Sequence, residues 1–163
     1  GVMSSDRPFQ IQHIDHIVLR VQDLPRAVAF YRDVLGCTVA RERPSLGMVH
    51  LHAGTSMIDL VAVDGKLGTP GGAAAGAQGR NLEHLCLRVE PFDVEQLRAH
   101  LQMHAVELRG KPENNFGAEG DGLSVYLHDP DGNGVHGLNE RIEVRSLYDG
   151  RDFLFDLIKA YAQ

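Results

Sequence analysis

The sequence is short of several residue types, and each shortage narrows the class of protein. Its 163 residues include only two cysteines, Cys37 and Cys86, and no tryptophan. Two cysteines are too few for a disulfide framework, so we expect thiols in a reducing compartment and a cytoplasmic protein. Residues 1–10 also lack the basic and apolar regions of a signal peptide.

Long apolar runs and an excess of basic residues are missing as well. No stretch approaches the roughly 18 apolar residues that a membrane span requires. There are 16 Lys and Arg against 22 Asp and Glu, a net charge of −6, whereas a nucleic-acid surface needs a basic patch. We therefore expect neither a membrane nor a nucleic acid as partner. The 43% hydrophobic content suffices for a core within one domain or two half-domains.

The chain contains an internal repeat. The heptapeptide DHIVLRV at 15–21 reappears as EHLCLRV at 83–89, so that His84 follows His16 by 68 positions. Strand alternation puts the histidine and the arginine of each copy on one face and the aliphatic residues on the other. A repeat on this scale predicts two duplicated modules that pack together.

The first module reads as strand, helix and three strands. The helix spans 23–36, with Asp23 as its cap and Gly36 as its stop. Turn residues separate three predicted strands that follow it, at 37–41, 47–52 and 57–63.

The second module repeats this order. A strand at 83–89 leads to a helix at 92–104 capped by Asp93. A strand at 105–109, a glycine-rich loop at 114–122 and strands at 123–128 and 134–138 follow.

These patterns predict an α+β fold of two tandem βαβββ modules. The modules span 14–63 and 81–139, and a flexible Gly/Ala-rich linker at 64–80 joins them. Helical spacing of apolar residues predicts a C-terminal helical extension at 140–163.

Three motifs in this order carry a family resemblance: the strand DHIVLRV, the helix DLPRAVAFYRDVLG and the hairpin YLHDPDGN. The chain resembles the vicinal oxygen chelate superfamily, the glyoxalase, bleomycin resistance protein and extradiol dioxygenase family. The resemblance covers about residues 14–138. It implies curled mixed sheets around a cleft that holds one divalent metal ion.

The resemblance also implies the ligands of that metal. They would be His16 and Asp59 from the first module and His84 and His136 from the second. Relatives usually carry Glu at the position of His136, and Glu140 is the alternative carboxylate four residues further along the same face. The ligand types suit Zn, Ni, Fe or Mn, and Asp59 or His136 would act as the catalytic proton-transfer group.

Two arginines lie four residues beyond the repeated histidines, on the same strand face. In glyoxalase I-like members the arginine at the position of Arg20 binds a substrate carboxylate, and Arg88 is its counterpart. The alternative for both is an ion pair across the sheet. His50 and His52 share a face and read as cleft-lining or solvated residues rather than ligands.

The resemblance favours a metal-dependent lyase or isomerase of the glyoxalase I type, acting on a small substrate with adjacent oxygens. Extradiol dioxygenase chemistry is a second possibility, since two histidines and one carboxylate are available. A metal-free drug- or metabolite-binding protein is a third. Homodimers are common in the superfamily, so a homodimer is expected here.

Overall fold

The structure is a computed structural model that describes residues 7–139. The predicted C-terminal helix at 140–163 and the alternative ligand Glu140 lie outside the described residues. The elements follow the chain as β1 (His16–Val21), α1 (Leu24–Ala29), β2 (Thr38–Arg43), β3 (Met48–Ala53), β4 (Ser56–Ala62), β5 (His84–Arg88), α2 (Val94–Met103), β6 (Glu113–Gly117), β7 (Gly120–His128) and β8 (Gly134–Asn139).

The strands form two open, mixed, four-stranded sheets of the same topology. Their orders are β1-β4-β3-β2 and β5-β8-β7-β6. In each sheet the first strand pairs in parallel with the last strand of its module, and the other pairings are antiparallel. This arrangement confirms the predicted α+β fold of tandem βαβββ modules.

Both helices begin where the sequence predicts a cap. An Asp23 oxygen accepts a hydrogen bond from the Arg26 backbone N–H at 3.0 Å, and Asp93 does the same for Gln96 at 3.0 Å. Helix α1 continues into a π-helical turn at Phe30–Val34. Gly36 follows that turn with a φ of +83°, a conformation that a residue without a Cβ adopts at little cost.

The prediction for residues 105–122 is wrong in two respects. The segment 105–109 forms no strand, and most of the predicted glycine-rich loop at 114–122 belongs to β6 (Glu113–Gly117) and to the start of β7 at Gly120. Val106 and Leu108 pack against the core, so their alternation reflects burial of an extended segment and not a strand pairing. Strand β6 is polar and lies at the sheet edge, with Phe116 84% exposed, which removes the apolar pattern that marks most strands.

One hydrophobic core joins the two modules. The inward faces of both sheets contribute to it, together with both helices. Its members include Leu19, Leu51, Ile58 and Leu60 of the first sheet, Tyr31 and Leu101 of the helical segments, and Leu127 and Val135 of the second sheet. Because strand side chains alternate, residues one position away from these point out of the core on both sheets.

A buried polar network also links the modules. Tyr31 donates a hydrogen bond from its hydroxyl to Asp129 Oδ2 at 2.7 Å. The same carboxylate accepts from Asn133 Nδ2 and from the backbone N–H groups of Asp131 and Asn133, each at 2.9 Å. Tyr31 and Asn133 are fully buried, so the turn at 129–133 is fixed against the first module.

Within residues 7–139 the structure contains no helix of the length and apolar character needed to cross a membrane.

Candidate functional site

His16 lies at the start of β1, on the face that points away from the core. Its Nδ1 donates to Asp15 Oδ1 at 2.7 Å. This hydrogen bond raises the pKa of His16, and the negative charges of Asp59 and Asp15 act in the same direction against the opposing effect of burial. The Nε2 atom is the ring nitrogen left for another partner.

His84 occupies the equivalent place at the start of β5. Its Nδ1 contacts Glu83 Oε2, and hydrogen bonding to His84 lowers the pKa of Glu83. The His84 ring stacks on the ring of His136, with centroids 4.1 Å apart and planes inclined by 6°. The second module therefore brings two of the predicted ligands into contact.

His136 is held between two rings. Tyr126 packs edge-on against it, with centroids 4.2 Å apart and planes at 84°, and Asn115 Nδ2 contacts the Tyr126 hydroxyl. Burial lowers the pKa of His136, the charge of His84 lowers it further, and Glu83 opposes both. At neutral pH His136 is thus a neutral imidazole, the form that binds a metal or accepts a proton.

Asp59 is a buried carboxylate on β4, only 4% exposed. Its Oδ1 lies 2.9 Å from His50 Nδ1. This contact lacks the alignment of a hydrogen bond, and Oδ1 has no hydrogen-bond partner among the described residues. A buried carboxylate oxygen without a hydrogen bond is costly and suits a site that a cation completes.

The strand register makes Asp59 and His136 equivalent in the two modules. Val18 pairs with Asp59 between β1 and β4, and Cys86 pairs with His136 between β5 and β8. Val18 and Cys86 are themselves related by the repeat. The pairing of β5 with Gly134–Leu138 is uninterrupted, so no bulge displaces His136 from this position.

Both predicted substrate-binding arginines have partners within the protein. Arg20 donates from its guanidinium to the carbonyl oxygens of Gly72 at 2.7 Å, Gly68 at 2.9 Å and Ala73 at 3.2 Å. Arg88 pairs with Glu90 at 3.1 Å and with Glu119. A role in binding a substrate carboxylate stays a prediction for both residues.

A single chain does not bring the four predicted ligands together. By strand alternation, His16 and Asp59 lie on the face of the first sheet opposite the core, and His84 and His136 lie on the corresponding face of the second sheet. Within residues 7–139 there is no cluster of three or more His, Cys, Asp or Glu side chains that could hold a metal ion.

Sequence reasoning missed three contacts at this site. Asp15 and Glu83 bind the repeated histidines, and the acidic residue before each histidine was the available signal. His50 was interpreted as a cleft-lining or solvated residue, and its contact with Asp59 depends on the pairing of β3 with β4, which a sequence pattern does not specify.

The chain belongs to the glyoxalase/bleomycin resistance protein/dioxygenase superfamily, whose match spans residues 13–136. This finding confirms the family predicted from the three motifs.

Two curated relatives and one solved structure show the range of similarity. Human mitochondrial methylmalonyl-CoA epimerase is 24% identical over 132 residues, covering 78% of this chain and 72% of the human protein. The ethylmalonyl-CoA/methylmalonyl-CoA epimerase of Cereibacter sphaeroides is 29% identical over 132 residues, covering 76% and 93%. An integron cassette protein from V. cholerae superposes with a TM-score of 0.66 at 27% identity, covering 80% of this chain and 97% of that one.

Proposed function

We propose that this protein is a metal-dependent isomerase of the glyoxalase I type, one that moves a proton on a carbon next to two oxygen-bearing groups. The observation that carries the proposal is the equivalence of two outward-facing pairs, His16 with Asp59 and His84 with His136. Two relatives are named as epimerases of methylmalonyl-CoA, so we propose acyl thioesters that also carry a carboxylate as the substrate class.

The residues fit a divalent metal on three grounds. Asp59 presents a buried oxygen that has no hydrogen-bond partner within residues 7–139. His16 and His84 each bind a carboxylate through Nδ1, and metal-binding histidines usually hold a carboxylate or carbonyl in this way. Three imidazoles and one carboxylate suit zinc, nickel, iron or manganese.

A metal bound by these four residues would supply Lewis-acid polarisation of a carbonyl oxygen, which acidifies the neighbouring C–H bond. We assign the taking and returning of the proton to His136 and Asp59. His136 is neutral at neutral pH because burial lowers its pKa. The ring packing of Tyr126 and His84 against His136 limits its rotation, which favours a fixed position for proton transfer.

We further propose that two copies of the chain complete each site. The first and second sheets each leave an outer strand, β1 and β5, with only one neighbour among the described residues. Val18 on β1, and Ile11 and Ile14 before it, are exposed apolar side chains. A homodimer that sets β1 beside the partner's β5 would cover them and bring the two ligand pairs together.

The test uses two double variants, His16→Ala with Asp59→Ala and His84→Ala with His136→Ala. Divalent-metal content and deuterium uptake from D₂O by methylmalonyl-CoA are measured, with the hemithioacetal of methylglyoxal and glutathione and a catechol as comparison substrates. Each double variant alone is expected to lose metal and activity. Mixed and refolded together, half of the dimers are heterodimers with one intact site of two, so about one quarter of wild-type activity returns.

The outcomes separate the two parts of the proposal. A wild type that takes up no divalent metal, or that exchanges no proton on any substrate tested, contradicts the isomerase. Turnover of the catechol alone would place the protein with the dioxygenases. An active wild type whose mixed variants stay inactive contradicts the shared site and leaves the isomerase standing.

A further inference from the structure

The acidic residue that precedes each repeated histidine contacts that histidine in the same way in both modules. Asp15 Oδ1 lies 2.7 Å from His16 Nδ1, and Glu83 Oε2 contacts His84 Nδ1. Aspartate and glutamate differ by one methylene, yet both carboxylates reach the same ring atom. This agreement distinguishes the pair from an incidental contact between exposed neighbours.

The backbones of the two acidic residues are anchored alike. The Met57 N–H donates to the Asp15 carbonyl oxygen at 3.0 Å, and the Gly134 N–H donates to the Glu83 carbonyl oxygen at 3.2 Å. Each donor lies beside the repeated histidine in the sheet register. Both carboxylates are thus attached to backbone that the neighbouring strand fixes.

The close approach at Glu83 depends on a residue without a side chain. A Cβ added at Gly134 would lie 2.7 Å from the Glu83 carbonyl oxygen and 2.9 Å from the His84 Cβ. No real Cβ contact is that short. The absence of a side chain at Gly134 therefore lets β8 lie close against the backbone of Glu83 and His84.

We propose that Asp15 and Glu83 are positioning residues that keep the hydrogen of His16 and His84 on Nδ1 and thereby reserve Nε2 of each ring for the metal. The inference rests on the proposed metal-dependent function. An ionised carboxylate only accepts hydrogen bonds, so the ring nitrogen facing it must carry the hydrogen. In a neutral imidazole the other nitrogen then has the lone pair that a metal needs.

The repeat thus duplicates a pair of residues, a carboxylate and the imidazole that it orients. Removing such a carboxylate typically costs 10- to 100-fold in metal affinity. An amide in its place still accepts a hydrogen bond from Nδ1–H through its oxygen, but it carries no charge. Asp15→Asn and Glu83→Gln are therefore the conservative variants, and Asp15→Ala and Glu83→Ala remove the acceptor.

The test reads the tautomers directly, by ¹⁵N–¹³C correlation spectra of the metal-free protein at a pH where the imidazoles are neutral. Wild type is expected to show Nδ1–H at His16 and His84. Asp15→Ala is expected to shift His16 towards Nε2–H and leave His84 unchanged, and Glu83→Ala the reverse. The Asn and Gln variants are expected to keep the wild-type tautomer, and Glu95→Ala, an exposed carboxylate on α2, is the matched control.

Zinc affinity of the same proteins is the second readout, with an expected loss of 10- to 100-fold for the Ala variants and less for the amides. Unchanged tautomers, or shifted tautomers with zinc affinity within about twofold of wild type, would overturn the inference. A wild type that has the expected tautomers but binds no divalent ion contradicts the proposed function, and the reservation of Nε2 for a metal fails with it.

Discussion

Replacing Tyr31 by Phe is the sharpest test of how the modules are held together. The substitution removes the hydroxyl that donates from the first module to the carboxylate of Asp129. The ring stays in place, fully buried beside Phe30, with centroids 5.3 Å apart. No cavity is created, so the change isolates a single hydrogen bond.

The expected cost follows from the charge of the acceptor. Hydrogen bonds to charged groups contribute about 1.5–3 kcal/mol, against about 0.5–1.5 kcal/mol for neutral pairs. Asp129 keeps three other donors, so its charge is not left without partners. We expect Tyr31→Phe to lower the free energy of unfolding by about 1.5–3 kcal/mol, or the Tm by roughly 3–12 °C for a chain of this length.

Urea denaturation measured at several pH values is the assay. Burial, followed by the charge of Asp129, raises the pKa of Tyr31 well above its ordinary range. A raised pKa in the folded state means that the stability tied to the neutral phenol is present below the unfolded pKa, near ~10, and is lost as the pH rises above it. The difference between wild type and Tyr31→Phe should therefore narrow above pH ~10.

Tyr126→Phe is the matched control, because its hydroxyl accepts from the neutral amide of Asn115. A Tyr31→Phe loss no larger than that of Tyr126→Phe would refute the reasoning. So would a double-mutant cycle with Asp129→Asn in which the two sites show no coupling.

Three further predictions concern the turn at 129–133 and the segment between the modules. Burial raises the pKa of Asp131, so its charge costs stability at neutral pH. This cost decreases as the pH falls through the folded pKa and is gone below the unfolded pKa, near ~4. Asp131→Asn should therefore raise the Tm at pH ~7 and lose this advantage below pH ~4, and no gain at pH ~7 would count against the burial effect. Gly68→Ala places a Cβ 1.9 Å from the Ala62 carbonyl oxygen and should lower the free energy of unfolding, measured by urea denaturation, by about 1–3 kcal/mol. The control Gly79→Ala has open space around its Cβ and should be near neutral, and equal losses in the two variants would contradict this packing. The ammonium group of a lysine lacks the planar fork with which Arg20 binds three carbonyl oxygens. In Arg20→Lys, limited proteolysis should therefore cleave residues 64–80 faster than in wild type and in an Arg26→Lys control. An unchanged rate would show that Arg20 does not hold this segment.

The repeat and the helix caps were predictable because their signals are local. Asp23 and Asp93 each precede an apolar helical pattern, and both accept the expected backbone hydrogen bond. Strand alternation likewise predicted the shared face of His16 and Arg20, and that of His84 and Arg88. Local geometry decides these features, so a short stretch of sequence contains the necessary information.

The way the modules pack was not predictable, because it depends on contacts between distant residues. Tyr31 and Asp129 are 98 positions apart, and the apolar stripe containing Tyr31 gives no hint of its hydroxyl's partner. A duplication also says that two modules are alike without saying which faces meet. The four candidate ligands were expected to converge on one metal ion, and their distribution over the two sheets depends on how the modules pack.

The glycine-rich composition of residues 64–80 supports two physical interpretations, and the contacts of Arg20 distinguish between them. Glycine between two modules favours flexibility, and on that ground residues 64–80 read as a linker. Glycine also permits close approach, and a Cβ at Gly71 would lie 2.5 Å from Arg20 Nε. The guanidinium occupies that space and binds three carbonyl oxygens of the segment. A substrate carboxylate could recruit Arg20 only by offering stronger, charge-assisted hydrogen bonds in exchange for these three. Substrate binding at Arg20 would therefore be coupled to release of residues 68–73, a cost that the spacing of four residues from His16 does not indicate.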